Sequence, residues 1–297
     1  MDMNVMKLLE QFGNDDKCRK TLERLRWPSG PICPRCNSKS PSQVKKRGVF
    51  DCNSCRHQFS VTAGTIFHDT HLPLQKWFMA IYLTVESKKG ISANQMKRMI
   101  GVSYKTAWYL CHRIRAAMTE ATPKLLKGTV KADEAFIGGK KIGGRGRGYY
   151  LSNKAIVAGI IERGGDVRMS VIPNTTRKEL RRFIQQFASA HTKEIITDEW
   201  VSYKGIGDHD TKHLTVNHAK KEWVRGKVHT NTIESVWSLL KRSIVGSYHQ
   251  ISKKHLDAYL DELEWRYNNR KNPFLFRDTL KKLIGSSQLE FRELIAS

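Results

Sequence analysis

An α/β domain built on a mixed sheet, placed after a small metal-stapled unit and a helical block, is the fold class the sequence predicts. Three observations predict it. Five short strand-like segments follow from residue 130 onward with a helix between the third and fourth; two C-x-x-C pairs lie near the start; helical periodicity fills the stretch between.

Residues 5–26 place Val5, Leu8, Leu9, Phe12, Leu22 and Leu25 at helical spacing, and Trp27-Pro-Ser-Gly-Pro31 ends the pattern. Cys33-Pro-Arg-Cys36 and Cys52-Asn-Ser-Cys55 follow, separated by 15 residues, the two-knuckle spacing that gives one Zn²⁺ four thiolates. Such a closed site is structural, so chemistry must come from elsewhere. Cys18 and Cys111 read as ordinary thiols. Lys39, Lys45, Lys46, Arg47 and Arg56 surround the ribbon.

From Leu72 to about Thr122 the pattern is helical. Ser92 to Ile100 forms an amphipathic helix, Gly101-Val-Ser103 a turn, and a second helix starts at Tyr104 with Ser103 as its cap. This is a helix-turn-helix arrangement, with a plain helical hairpin as the competing reading. In the first reading Lys105, Thr106 and Tyr109 stand near base edges.

The strand segments are 130–137, 154–162, 167–173, 194–200 and 213–218, with helices at 178–188 and 229–246. Between the first two strands, residues 138–150 are too rich in glycine and charge to bury a core. They form a basic loop, carrying Arg145 and Arg147, that is either a solvated tip or a DNA-phosphate contact.

The formal net charge is +24, from 52 Lys+Arg against 28 Asp+Glu, which disfavours an enzyme of neutral metabolites and points to a polyanionic partner. The longest apolar run, Trp77 to Val85, is far short of the ~20 residues that span a bilayer. The amino terminus lacks a secretory pattern, so the expected compartment is the cytoplasm. Against this basic background stand Asp133, Asp198 and Glu234. Asp133 and Glu134 are neighbours on a strand and face opposite ways, and alternation alone does not choose between them. Asp198 falls at the carboxyl end of a buried strand, where open α/β sheets place ligands, which favours it over Glu199. In residues 229–246 an apolar stripe (Ile233, Val236, Trp237, Leu240, Ile244) leaves Glu234 and Lys241 nearly in line at its edge, with Asn231 further round. His209, His213, His218 and His229 are too scattered to read as a second metal site.

CPRC with CNSCRHQFSVTAGTIF, KADEAFIGGK, ITDEWVSY and HTNTIESVWSLLKRSIVGSYHQISKKHLDAYLDELEWRYNNR together resemble the DDE-type transposases of bacterial insertion sequences, in the subgroup with a zinc ribbon before a ribonuclease-H-like catalytic domain. The resemblance covers nearly the whole chain. It implies five segments: an amino-terminal helical part (1–28), zinc ribbon (29–66), helix-turn-helix region (67–123), catalytic domain (128–270) and helical tail (271–297). It implies that Asp133 and Asp198 are the first two ligands of catalytic Mg²⁺ or Mn²⁺, with Glu234 the third, 35 intervening residues beyond Asp198. Asn231 is the alternative third ligand; Glu234 is preferred because a carboxylate binds a hard cation better than an amide does. Lys241 resembles a residue that contacts transposon-end phosphate. The implied activity is two-metal cleavage of duplex DNA at terminal inverted repeats and strand transfer into target DNA, by at least a dimer and with no membrane partner. A zinc-ribbon DNA-binding regulator without catalysis, and a ribonuclease-H-like nuclease that never joins strands, are the rival readings.

Overall fold

The computed structural model describes residues 3–44, 47–138, 154–207, 209–216 and 230–296. The chain forms two compact units, Met1–Thr119 with Arg270–Ser297, and Glu120–Asn269.

In the first unit the stretch of helical spacing over 5–26 is two helices, α1 (Val5–Phe12) and α2 (Asp15–Arg26). The break follows from the asparagines: Asn4 accepts the Lys7 N–H and Asn14 the Lys17 N–H, each at 2.9 Å, so Asn14 starts a new helix after Gly13. Three short antiparallel strands follow in the order β1 (Pro41–Val44), β2 (Val49–Cys52), β3 (Gln58–Phe59). Trp27, Phe50 and Phe59 meet edge-on or stacked, with centroids 5.3–5.8 Å apart, and give this ribbon its small apolar core. Then come α3 (Leu74–Glu86), α4 (Ala93–Ile100) and α5 (Tyr104–Met118). Gly101, at φ 63°, ends α4 in the left-handed conformation, and the Ser103 hydroxyl accepts the Thr106 N–H at 3.1 Å to open α5.

The second unit holds a five-stranded sheet of β4 (Leu126–Ile137), β5 (Ala155–Glu162), β6 (Val167–Ile172), β7 (Ala188–Asp198) and β8 (Lys212–Val216), in spatial order β6-β5-β4-β7-β8. Only β5 runs against the others. Helix α6 (Arg177–Phe187) precedes β7 and covers one face with Leu180, Phe183, Ile184 and Phe187. Helices α7 (Asn231–Ser243) and α8 (Leu256–Asn268) cover the other through Ile233, Val236, Trp237, Leu240, Leu260 and Leu263. The strand order and the helices on both faces are ribonuclease-H-like.

The outer edge of β6 is closed by α8. Asn268 and Asp257 accept the backbone N–H groups of Val167 and Val171 at 2.8 and 3.1 Å, and Glu264 accepts that of Met169 between them. Burial pushes Glu264 up to about 8 in spite of Arg168, whose guanidinium is 4.0 Å away and shared with Glu120 at 3.3 Å. The chain ends within the first unit as α9 (Leu275–Gly285) and α10 (Phe291–Ile295), where Phe276 packs against Phe12 and Phe78. Among the described residues no helix is long and apolar enough to cross a membrane.

Candidate active site

Alternation along β4 sorts its side chains. Val130 and Ala132 belong to the core under α6, whereas Ala135 and Ile137 belong to the core under α7 and α8. Asp133 therefore faces α7 and Glu134 faces away from it. The parallel pairing of β4 with β7 sets Lys131 opposite Ile196. Two residues further along each strand come Asp133 and Asp198, at neighbouring positions on the same face. Glu199, the next residue, is exposed.

Helix α7 completes the group. The Trp237 indole N–H donates to Asp133 Oδ2 at 2.9 Å. It reaches there because the residue opposite Asp133 on β5 is Gly159, where an added Cβ would lie 2.5 Å from the Trp237 ring. Burial pushes the Asp133 carboxyl up to about 6, against the indole hydrogen bond, and the Asp198 and Glu234 charges push the same way. The charges of Asp198 at the end of β7 and of Glu234 on α7 thus reach Asp133 on β4.

They do not form a tight cage. Asp198 turns Oδ1 to the Trp200 N–H at 3.0 Å, and Glu234 turns Oε1 to the Thr230 hydroxyl at 2.6 Å. The donor set still fits a hard divalent cation: the groups are carboxylate oxygens, and their mutual repulsion at Asp133 is what a positive charge relieves. Asn231 and Lys241 are exposed on α7, and Lys241 lies two turns beyond Glu234 on the same face.

Two supports of this site were not read from the sequence. Lys131, fully buried on the Asp133 face, donates to Thr232 Oγ1 at 2.9 Å in the first turn of α7, and burial lowers its ammonium to about 8. On the opposite face the Tyr203 hydroxyl donates to Glu134 Oε2 at 2.6 Å. Tyr203 is buried in the 3₁₀ turn (Val201–Tyr203) just after Asp198, so this bond ties the end of β7 to β4. Burial raises Glu134 to about 7 and Tyr203 well above its ordinary range. A charged residue inside a strand pattern was the available signal for Lys131; nothing in the pattern pairs Glu134 with Tyr203.

The cysteines do converge. The sulfurs of Cys33, Cys36, Cys52 and Cys55 all lie within 4.8 Å of one another, the one such metal-competent group of His, Cys, Asp or Glu side chains among the described residues. Both knuckles have the same backbone: Asn37 and Arg56, each following a second cysteine, take φ 57° and 58°, and their N–H groups return to Cys33 and Cys52 carbonyls at 2.9 Å. Hydrogen bonds from the Cys55 and Ser54 N–H groups lower the Cys52 thiol, which suits a thiolate ligand. A four-sulfur set of this geometry fits Zn²⁺.

Lys105 and Thr106 are exposed on the first turn of α5, and Lys105 Nζ lies 4.6 Å over the Phe291 ring. Tyr109 is half-buried, with its hydroxyl donating to the Leu289 carbonyl. Arg145 and Arg147, with Lys45, Lys46, His218 and His229, lie outside the described residues.

A family model described as an ISXO2-like transposase domain matches residues 125–268, and one described as a transposase zinc-ribbon domain matches residues 13–58. A protein of Halobacterium salinarum, named as an uncharacterized protein in transposable element ISH50, is 29% identical over 95% of this chain and 100% of its own. An uncharacterized transposase-like protein of Haemophilus influenzae is 28% identical over 33% of this chain and 78% of its own. Among solved structures, the Mos1 strand transfer complex gives a TM-score of 0.30 at 9% identity, over 70% of this chain and 74% of that one. The ribbon match and the catalytic-domain match, in the order in which the motifs stand, place the chain in the family of ISXO2-like DDE transposases with an amino-terminal zinc ribbon.

Proposed function

We propose that this transposase binds duplex DNA at the ends of its element and both cuts and joins phosphodiester bonds at Asp133, Asp198 and Glu234. What supports the reading is placement: Asp133 and Asp198 stand at neighbouring positions on two parallel strands, under the helix that carries Glu234 and reaches Asp133 through Trp237. These three residues would hold Mg²⁺ or Mn²⁺, which when bound supplies Lewis acidity to an attacking water or 3′-hydroxyl and to the leaving oxygen. Glu234 is preferred over Asn231 because its charge acts on Asp133. Trp237 fixes the orientation of the Asp133 carboxylate through Oδ2. Lys131 holds the first turn of α7, and with it Glu234, against the sheet. Lys241 would meet a phosphate two helical turns from the acids, and the exposed Lys105 and Thr106 would contact the terminal repeats, with Tyr109 supporting them from its tail contact. Division of labour between phosphate grip and base contact follows the general pattern of DNA recognition. Pairing two ends calls for at least two copies in the active complex.

The test is a cleavage and strand-transfer assay with purified protein, labelled end DNA, a target plasmid and Mg²⁺. Nicks at the element's ends and joined products are expected, both lost with EDTA and with Asp198→Ala, whose DNA binding persists. Cleavage by Asp198→Ala at the wild-type rate would refute the assignment; nicks without joined products would make the protein a nuclease.

A further inference from the structure

The first unit contains a groove of about 1740 Å³ that none of the assigned elements uses. Helix α2 forms one wall and the segment leading into α9 another. Its described lining includes seven Lys or Arg side chains against three Glu. Lys17, Lys20 and Arg24 recur along α2 at three- and four-residue spacing and so share one face of the helix. Arg270, Lys271 and Arg277 line the groove from the α9 segment. Two of these cations are held in place by neutral oxygens: Lys17 Nζ donates to the Glu10 carbonyl at 3.1 Å, and Arg24 to the Thr21 hydroxyl at 3.2 Å. Such bonds orient a cation without cancelling its charge. Arg277 lies 4.4 Å over the exposed Phe274 ring and also pairs with Asp278 at 3.0 Å. The run from Lys17 to Arg24 extends about 10 Å along the helix, enough for about three phosphates of one strand at a rise of ~3.4 Å.

We propose that this groove is a DNA-backbone subsite that grips phosphate without regard to sequence, separate from the first turn of α5, neither Lys105 nor Thr106 of which lines it. The proposal rests on the reading of the protein as a DNA-binding transposase. It adds that the amino-terminal helix and the carboxyl-terminal segment of the first unit jointly hold the duplex.

Binding of a labelled duplex of about 30 base pairs and arbitrary sequence is measured against salt for wild type and for Lys20→Glu/Arg24→Glu. Removing two phosphate contacts should flatten the slope of log K against log salt by about 2 and weaken binding at least roughly tenfold at low salt. Arg177→Glu/Lys178→Glu, with the same charge change on exposed positions of α6, controls for overall charge and should leave the slope nearly intact. Unchanged zinc content and melting temperature verify folding; if the double reversal unfolds the protein, Lys20→Gln/Arg24→Gln replaces it, with the same expected flattening. Groove variants that behave like the α6 control overturn the subsite while leaving the transposase reading intact. A wild-type protein that binds no duplex and cleaves no end DNA sinks the functional reading instead.

Discussion

Asp133 depends on a neighbour with no side chain at all. Gly159 lets the Trp237 ring lie against β5, and only from there does its N–H reach the carboxylate. Gly159→Ala should force the ring aside and destabilise the fold by about 1–3 kcal/mol as an overpacked site, measured by urea unfolding. Trp237→Phe tests the hydrogen bond apart from the bulk: if Asp133 is a metal ligand, losing the partner that orients it should lower metal affinity or cleavage by about 10–100-fold. A metal titration of cleavage rate reads this directly, and an unchanged titration would remove Trp237 from the site. At this scale the sequence was partly legible. Trp237 was recognisable as a member of an apolar stripe, because burial follows helical spacing. Its indole bond was not, because which atom a buried ring presents depends on the strand beneath it. Glu134 was hidden for a similar reason: its partner Tyr203 is 69 positions away and meets it only once β7 lies beside β4.

The five strands and the helices between them followed from alternation and periodicity, and α4, its turn and α5 from two serines and a glycine acting as caps. What the pattern did not reveal was a break inside an apparently continuous helix, where Asn14 offers the chain a second start, or the way α8 serves β6. Spacings of 7 and 4 between Asp257, Glu264 and Asn268 put three acceptors on one helical face, but their targets are backbone groups that carry no sequence signal. Glu264 makes this element sensitive to pH. Its carboxyl sits at about 8 in the folded protein against an ordinary 4.5, because burial outweighs Arg168. A raised folded value means the contribution is fully present below about 4.5 and is lost as pH rises through about 8. Glu264→Gln keeps an oxygen for the Met169 N–H and cannot ionise. It should gain stability relative to wild type on the order of a few kcal/mol between pH 5 and pH 9, read from denaturant midpoints at the two pH values. A constant difference between the proteins across that range would show that Glu264 does not titrate there.

Across the whole chain, charge and architecture are separable. The excess of 24 positive charges was evident from composition, yet composition does not say where the cations gather. The ribbon is the part whose persistence rests least on apolar packing, since its core is three rings. Removing Zn²⁺ with a strong chelator, or replacing Cys52 by Ser, should therefore unfold residues 33–59 while the sheet of the second unit persists. Loss of near-ultraviolet signal from Trp27 with retained helical circular dichroism would report that outcome, and an unaltered ribbon after complete metal removal would contradict it.

The margin of β6 has a consequence for crowding. A strand whose outward amides are already taken offers no template to a stranger's backbone. Copies of the protein gathered at high local concentration are thus barred from zipping into a continuous sheet along that side, and fibril growth must find another seed.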